Sequence, residues 1–284
     1  MTKTLRNDPD LWSPHFPWPA ADTHKHARGR LVVISGDAWS TGAARLAARA
    51  GLRVGAGLVT VLSPTEALAS HAPHLEAVML RGFDEPGQLA QLADKADAAV
   101  IGPAAGVGEQ TTLNLFALTA TGVALVIDAD ALTSFQDDPD NLFSVLDRDD
   151  VLTPHPGEFE RLFPGLLAKE GREGAARLAA ERAGAVVILK GPRTVVAAPD
   201  GRIAVNANGS PWLATAGTGD VLAGFAAGLI AQGMASFEAA CAAVWLHAQC
   251  AGNFGPGLIS EDLPDLLPTV LNMLFVAKSG PRPG

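Results

Sequence analysis

The chain has 284 residues, a formal net charge of −9, 48% hydrophobic and 18% charged residues. That apolar content excludes disordered and fibrous classes, and the length suits one large α/β domain with a core on both sheet faces. An acidic balance without a dense Lys/Arg run argues against a nucleic-acid partner.

Two cysteines, Cys241 and Cys250, lie nine apart in a helical stretch, about 13 Å at 1.5 Å per residue, and so cannot bridge each other. They read as small buried apolar side chains in a reducing cytosol. No metal cluster is visible. Because no apolar stretch follows a basic start and no window reaches about 18 apolar residues, neither a signal peptide nor a membrane span is expected, and the cytoplasm is the expected location.

In chain order, residues 1–29 carry Trp12, Phe16, Pro17, Trp18 and Pro19 and then a polar stretch. This reads as an extended lead-in in which repeated prolines exclude helix, with aromatics packed on the body or on a neighbouring subunit. Residues 30–278 form a single domain and 279–284 a tail. Short apolar runs at Leu31–Ile34, Leu58–Leu62, Ala98–Ile101, Ala124–Ile127 and Val186–Leu189 look like buried strands. They alternate with helical spacing at 42–56, 109–121 and 172–183, the pattern of βαβ units around a mostly parallel sheet. After Lys190, the runs Thr194–Ala198 and Ile203–Asn206 flank Pro199-Asp200-Gly201 and predict an antiparallel hairpin at the sheet edge. The rest is helical: 220–230, 237–249 and about 262–276, with Gly233 as a break.

The strongest motif is Thr215-Ala216-Gly217-Thr218-Gly219-Asp220 ahead of an apolar helix. Small residues there leave several N–H groups free at a helix N-terminus, which is how a chain holds an anion. Asp220 in that first turn reads equally well as a cap or as a base acting on a hydroxyl. Two strand ends carry Gly102–Gly106 and Asp128-Ala129-Asp130; Asp128 is a further candidate, whereas Asp130 reads as a cap of the next helix. His155 stands between Pro154 and Pro156, and reads either as a surface residue or as one held by its prolines. Lys190-Gly191-Pro192-Arg193-Thr194 is either a solvated turn or a phosphate-contacting one. The segment from Gly29 through Gly36 and Gly42-Ala43-Ala44 to Val61 is a strand, a turn, a helix and a strand, and it lacks the G-x-G-x-x-G and P-loop fingerprints.

In this order the motifs resemble the ADP/ATP-dependent NAD(P)H-hydrate dehydratases of the ribokinase-like superfamily, over about Asp22 to Gln249. The resemblance implies a ribokinase-like three-layer αβα sandwich and nicotinamide nucleotide repair: dehydration of the S form of NADHX or NADPHX to NADH or NADPH, with ADP (or ATP) consumed to AMP (or ADP) and phosphate. It implies that Ala43, Gly106 and His155, with Asp220, bind the hydrate. Lys190, Gly191, Pro192, Arg193, Thr194 and Gly219 would contact the adenine nucleotide, and Ala216, Gly217, Thr218 and Gly219 would form an anion hole. Asp220 matches the catalytic aspartate. Mg²⁺ is expected with the nucleotide and without a dedicated protein cage. A homotetrameric assembly is implied as well, and a hydrate epimerase either on a separate chain or in a longer protein of which this sequence is a part.

The chain departs from the family pattern at Trp212 in Gly209–Ala214, at Trp39 in place of a tyrosine after the first strand, and at Ala104-Ala105. The alternative functions are a small-molecule kinase of the same superfamily, which would keep the phosphate on its product, and a relative that binds AMP without turnover.

Overall fold

The computed structural model describes residues 4–279, so the expected tail lies, from residue 280 on, outside the described residues. Ten strands are found among them: β1 Leu5–Asn7, β2 Arg30–Ile34, β3 Leu58–Pro64, β4 Met79–Phe83, β5 Ala98–Ile101, β6 Ala124–Ile127, β7 Val151–Leu152, β8 Val186–Leu189, β9 Val195–Ala197 and β10 Ile203–Asn206. The helices are α1 Pro9–Trp12, α2 Gly42–Val54, α3 Leu68–His71, α4 Pro86–Ala93, α5 Glu109–Thr119, α6 Ala129–Thr133, α7 Pro139–Phe143, α8 Pro156–Leu162, α9 Leu166–Ala183, α10 Thr218–Ala231, α11 Ser236–Phe254 and α12 Asp262–Ser279. None is long and apolar enough to cross a membrane.

One sheet runs β1-β10-β9-β8-β7-β6-β5-β2-β3-β4. Strands β8 to β4 along that order pair in parallel, and β9 pairs antiparallel with both β8 and β10. The period of two divides each central strand between two cores. Leu31 and Val33 face the layer of α2, α10, α11 and α12, while Val32 and Ile34 face the layer of α4 to α9. Between α2 and α10 the approach is close: a Cβ on Gly224 would stand 2.2 Å from the Ala47 carbonyl oxygen. Helix α10 is buried almost all round.

The structure departs from the sequence reading in several elements, among them β7 and α4, which no expected strand or helix covered. The lead-in is not merely extended and does contain helix. Pro9 opens α1 at its first position, where a missing N–H costs nothing, and β1 pairs parallel with β10 beyond the hairpin, Leu5 opposite Ala204 and Asn7 opposite Asn206. Its aromatics do pack on the body: Trp12 is fully buried, with ring centroids 5.7 Å from Trp245. Strand β4 escapes the apolar signal because it is a largely exposed edge. Within α9 a short additional helical stretch precedes the expected helix 172–183 and is separated from it at Gly171, where φ 66° and ψ 177° are not helical. Both cysteines are buried and free.

Candidate active site

Strands β8, β7, β6, β5 and β2 are neighbours, so the loops after them stand side by side at one edge of the sheet. Those loops carry Lys190–Thr194, His155, Asp128–Asp130, Gly102–Gly106 and the approach to Ala43. Ligands gather at this edge in open α/β sheets. The backbone there is under strain: Ala104 and Ala129 hold φ of 53° and 47°, values that side chains rarely adopt.

The turn expected to hold an anion opens α10. Gly217 caps it in the left-handed region at φ 86°, and a Cβ there would meet Ser260 Oγ at 2.6 Å and Leu46 Cδ1 at 2.8 Å. The Thr218 hydroxyl is spent inside the loop, donating to the carbonyls of Leu213 at 2.9 Å and Thr215 at 3.2 Å. Gly219 needs no special backbone angle. Space is what it provides, since a Cβ there would lie 3.5 Å from Lys190 Nζ and 3.6 Å from Asp128 Oδ2.

Asp128 is 1% exposed and makes no cap bond to α6; its Oδ1 accepts from Lys190 Nζ at 2.7 Å. Glu158 Oε2 lies 3.8 Å from the same ammonium. Burial works against the charge on Lys190, but Asp128, Glu158 and Asp220 together more than offset it and raise its pKa. Asp220 is half-buried, and burial, with repulsion from Asp128 and Asp130 against attraction to Lys190, lifts its pKa to about 7. A carboxyl so placed is a first-turn acid by position and a base by proton affinity.

Lys190, Gly191, Pro192 and Thr194 line a cavity of about 550 Å³ together with Gly219 and His247. Pro211, Leu213, Leu222 and Val244 give it apolar walls. Arg193 is not among the lining residues; its guanidinium turns outward to Glu173, 3.5 Å away. Ala216 is exposed, and Ala43, Gly106 and His155 lie outside this cavity, in the loops and helix starts after β2, β5 and β7. His155 is engaged as the cap of α8: its Nδ1 accepts from the Gly157 and Glu158 amides, and Glu158 Oε2 accepts from the His155 amide at 2.7 Å. Asp130, read as a cap, instead accepts from the Gly106 amide at 2.9 Å and ties two strand-end loops together.

Three contributors went unread in the sequence. Glu158 carried a signal, the acid three residues after a cap. Arg172 did not: from α9 it donates to the carbonyls of Leu189 at 3.0 Å and Lys190 at 2.8 Å, and so holds the turn. His247 on α11 is held neutral, its pKa lowered by burial to about 4, and its Nε2 has no partner. Among the described residues no group of three or more His, Cys, Asp or Glu is placed to hold a metal ion. Asp128 Oδ2, beside Gly219, is one carboxylate oxygen that a cation bound mainly by phosphates could use.

A glycine-bearing helix start, a buried cation, a carboxyl of raised proton affinity and a partly apolar cavity stand together on the sheet of a ribokinase-like protein. The family model for NAD(P)H-hydrate dehydratase matches residues 31–267, and the chain belongs to that family. It is 38% identical over 250 residues to the ADP-dependent (S)-NAD(P)H-hydrate dehydratase of Neisseria meningitidis serogroup B, covering 84% of this chain and 81% of that one. It is 42% identical over 234 residues to the bifunctional NAD(P)H-hydrate repair enzyme of Gloeobacter violaceus, covering 80% of this chain and 46% of that one. The chain thus spans about half the length of the bifunctional relatives it matches. The ADP/ATP-dependent NAD(P)H-hydrate dehydratase from Bacillus subtilis, co-crystallised with ATP and Mg²⁺, superposes with a TM-score of 0.84 at 27% identity, covering 96% of this chain and 99% of that one.

Proposed function

We infer that the protein dehydrates the S form of NADHX or NADPHX to NADH or NADPH at the expense of ADP or ATP. The observation that carries this reading is the placement of Asp220, with a pKa near 7, in the first turn of the anion-binding helix and under the influence of Lys190 and Asp128. A base is most effective when its pKa lies near the working pH.

Asp220 takes the proton of the ring hydroxyl, and that oxygen attacks the terminal phosphorus of ADP while the bond to AMP breaks. The amides of Gly217, Thr218 and Gly219, with Ala216 ahead of them, hold the charge on the moving phosphoryl group. Lys190, Gly191, Pro192 and Thr194 hold the rest of the nucleotide. The new phosphate ester sits on a carbon bonded to the ring nitrogen; the nitrogen lone pair expels phosphate, and loss of a proton from the adjacent carbon restores the dihydropyridine. Hydrate and ADP thus become NAD(P)H, AMP and phosphate. Mg²⁺ bound with the nucleotide, with Asp128 as its protein oxygen, would neutralise phosphate charge. A homotetramer in the cytoplasm, supplied by an epimerase, completes the reading.

Protein mixed with hydrated NADH, ADP and Mg²⁺ should regain the absorbance of NADH as phosphate is released. Phosphorylation of another alcohol with no signal on the hydrate would favour the kinase. AMP binding with no turnover of either would favour a sensor.

A further inference from the structure

A second cavity, about 890 Å³ in volume, runs along α2 from Gly42 to Arg53 and on to Gly55, lined by Arg28, Arg45, Arg49 and Arg53. Twelve helical residues span about 18 Å at 1.5 Å each. The concentration of guanidinium groups stands out in a chain of net charge −9, and much of it is uncompensated. Arg45 bonds only neutral groups, the Thr41 hydroxyl at 2.6 Å and the Ser70 carbonyl at 3.2 Å. Arg49 and Arg53 share a single carboxylate, Asp265, at 2.6 and 3.1 Å. Arg28 keeps a buried Nε with no partner. Glu76 and Glu261 also line the groove but do not bridge these arginines.

The groove adjoins the site. Gly42, next to Ala43, lines the groove, and so does Leu46, whose Cδ1 would stand 2.8 Å from a Cβ on Gly217 at the start of α10. The cavity beside Lys190 must hold the adenine nucleotide while the hydrate is bound. The adenosine half of the hydrate therefore has to leave the ring subsite by another route, and it carries the phosphates.

We propose that this groove binds the phosphate-bearing adenosine half of the hydrated dinucleotide, with Arg45 and Arg49 as its phosphate contacts. Planar guanidinium groups pair with phosphate oxygens two at a time, which suits them to this ligand. The inference rests on the function proposed above, and it makes the 2′-phosphate of the NADPH hydrate an added handle.

The test uses the whole protein, with Arg49→Ala and Arg45→Gln as variants and thermal melts to verify folding. Adenosine 2′,5′-bisphosphate, titrated by calorimetry with AMP saturating the other cavity, should bind the unmodified protein and weaken by about tenfold in each variant, as loss of a charge-assisted bond implies. KM for the NADPH hydrate should rise to match while kcat and KM for ADP hold. KM for the hydrate of reduced nicotinamide mononucleotide, which lacks the adenosine half, should not move. Equal losses on the mononucleotide, or unchanged KM for the dinucleotide, would overturn the groove assignment and leave the dehydratase reading intact. Absence of turnover on every hydrate would remove that reading and this proposal with it. Loss of a larger assembly in Arg49→Ala by sedimentation, without a change in KM, would instead assign the groove to contacts between copies.

Discussion

Lys190 Nζ lies 2.7 Å from Asp128 Oδ1, and both groups border the space left open by Gly219. One buried cation at the end of β8 is thereby committed to a carboxylate at the end of β6, two strands away, while still acting on Asp220. The proton affinity of Asp220 is therefore a property of the group, set by burial, by Asp128 and Asp130, and against them by Lys190.

Replacing the base tests its role. Asp220→Asn should lower kcat by about 10²–10⁴-fold while AMP still binds, measured as restored NADH absorbance and by calorimetry. Near-normal turnover would end the assignment.

The pH dependence follows from the same group. kcat/KM should fall as pH drops through about 7, where Asp220 takes up a proton. Asp128→Asn removes one repelling carboxylate and frees Lys190 to face Asp220, and both effects lower the Asp220 pKa. The acid limb of the rate profile should move to lower pH, and an unmoved limb would show that the two carboxylates are not coupled.

Stability should run opposite to activity. Asp220 has a folded pKa of about 7 against about 3.9 in an unfolded chain, so its contribution is fully present below the lower value and is lost as pH rises through the upper one. Asp150, raised to about 7 chiefly by burial, has the same sign. Tm should decline between pH 5 and about pH 8, and Asp220→Asn should flatten part of that decline. A variant whose Tm tracks the parent at every pH would contradict the raised pKa.

The two glycines of the anion turn should fail differently. Gly217→Ala places a side chain at φ 86° against Ser260 and Leu46, a strain of about 1–3 kcal/mol, and should lower Tm. Gly219→Ala meets only ordinary contacts and should melt near the parent while losing affinity for AMP. Gly219→Val should close the site altogether. Unchanged AMP affinity in both Gly219 variants would count against the anion hole.

Much of this was legible without coordinates because the signals were local. Apolar runs of four residues fixed β5, β6 and β8, and the small residues from Ala216 to Gly219 announced the start of α10. What stayed hidden was pairing across distance. Nothing adjacent to Arg172 reveals that it clamps the carbonyls of Leu189 and Lys190, or that Arg193 turns to Glu173. By itself the sequence determined the central strands β2, β3, β5, β6 and β8, the mostly parallel sheet with its antiparallel hairpin, and the turn ahead of Asp220, since periodicity and backbone freedom are properties of neighbouring residues. Only the tertiary structure decided that β1 joins the far edge of the sheet, that His155 caps a helix, and that Asp128 meets Lys190 beside Asp220. Burial and charge set a pKa through space, and space is shared by residues that the chain keeps far apart.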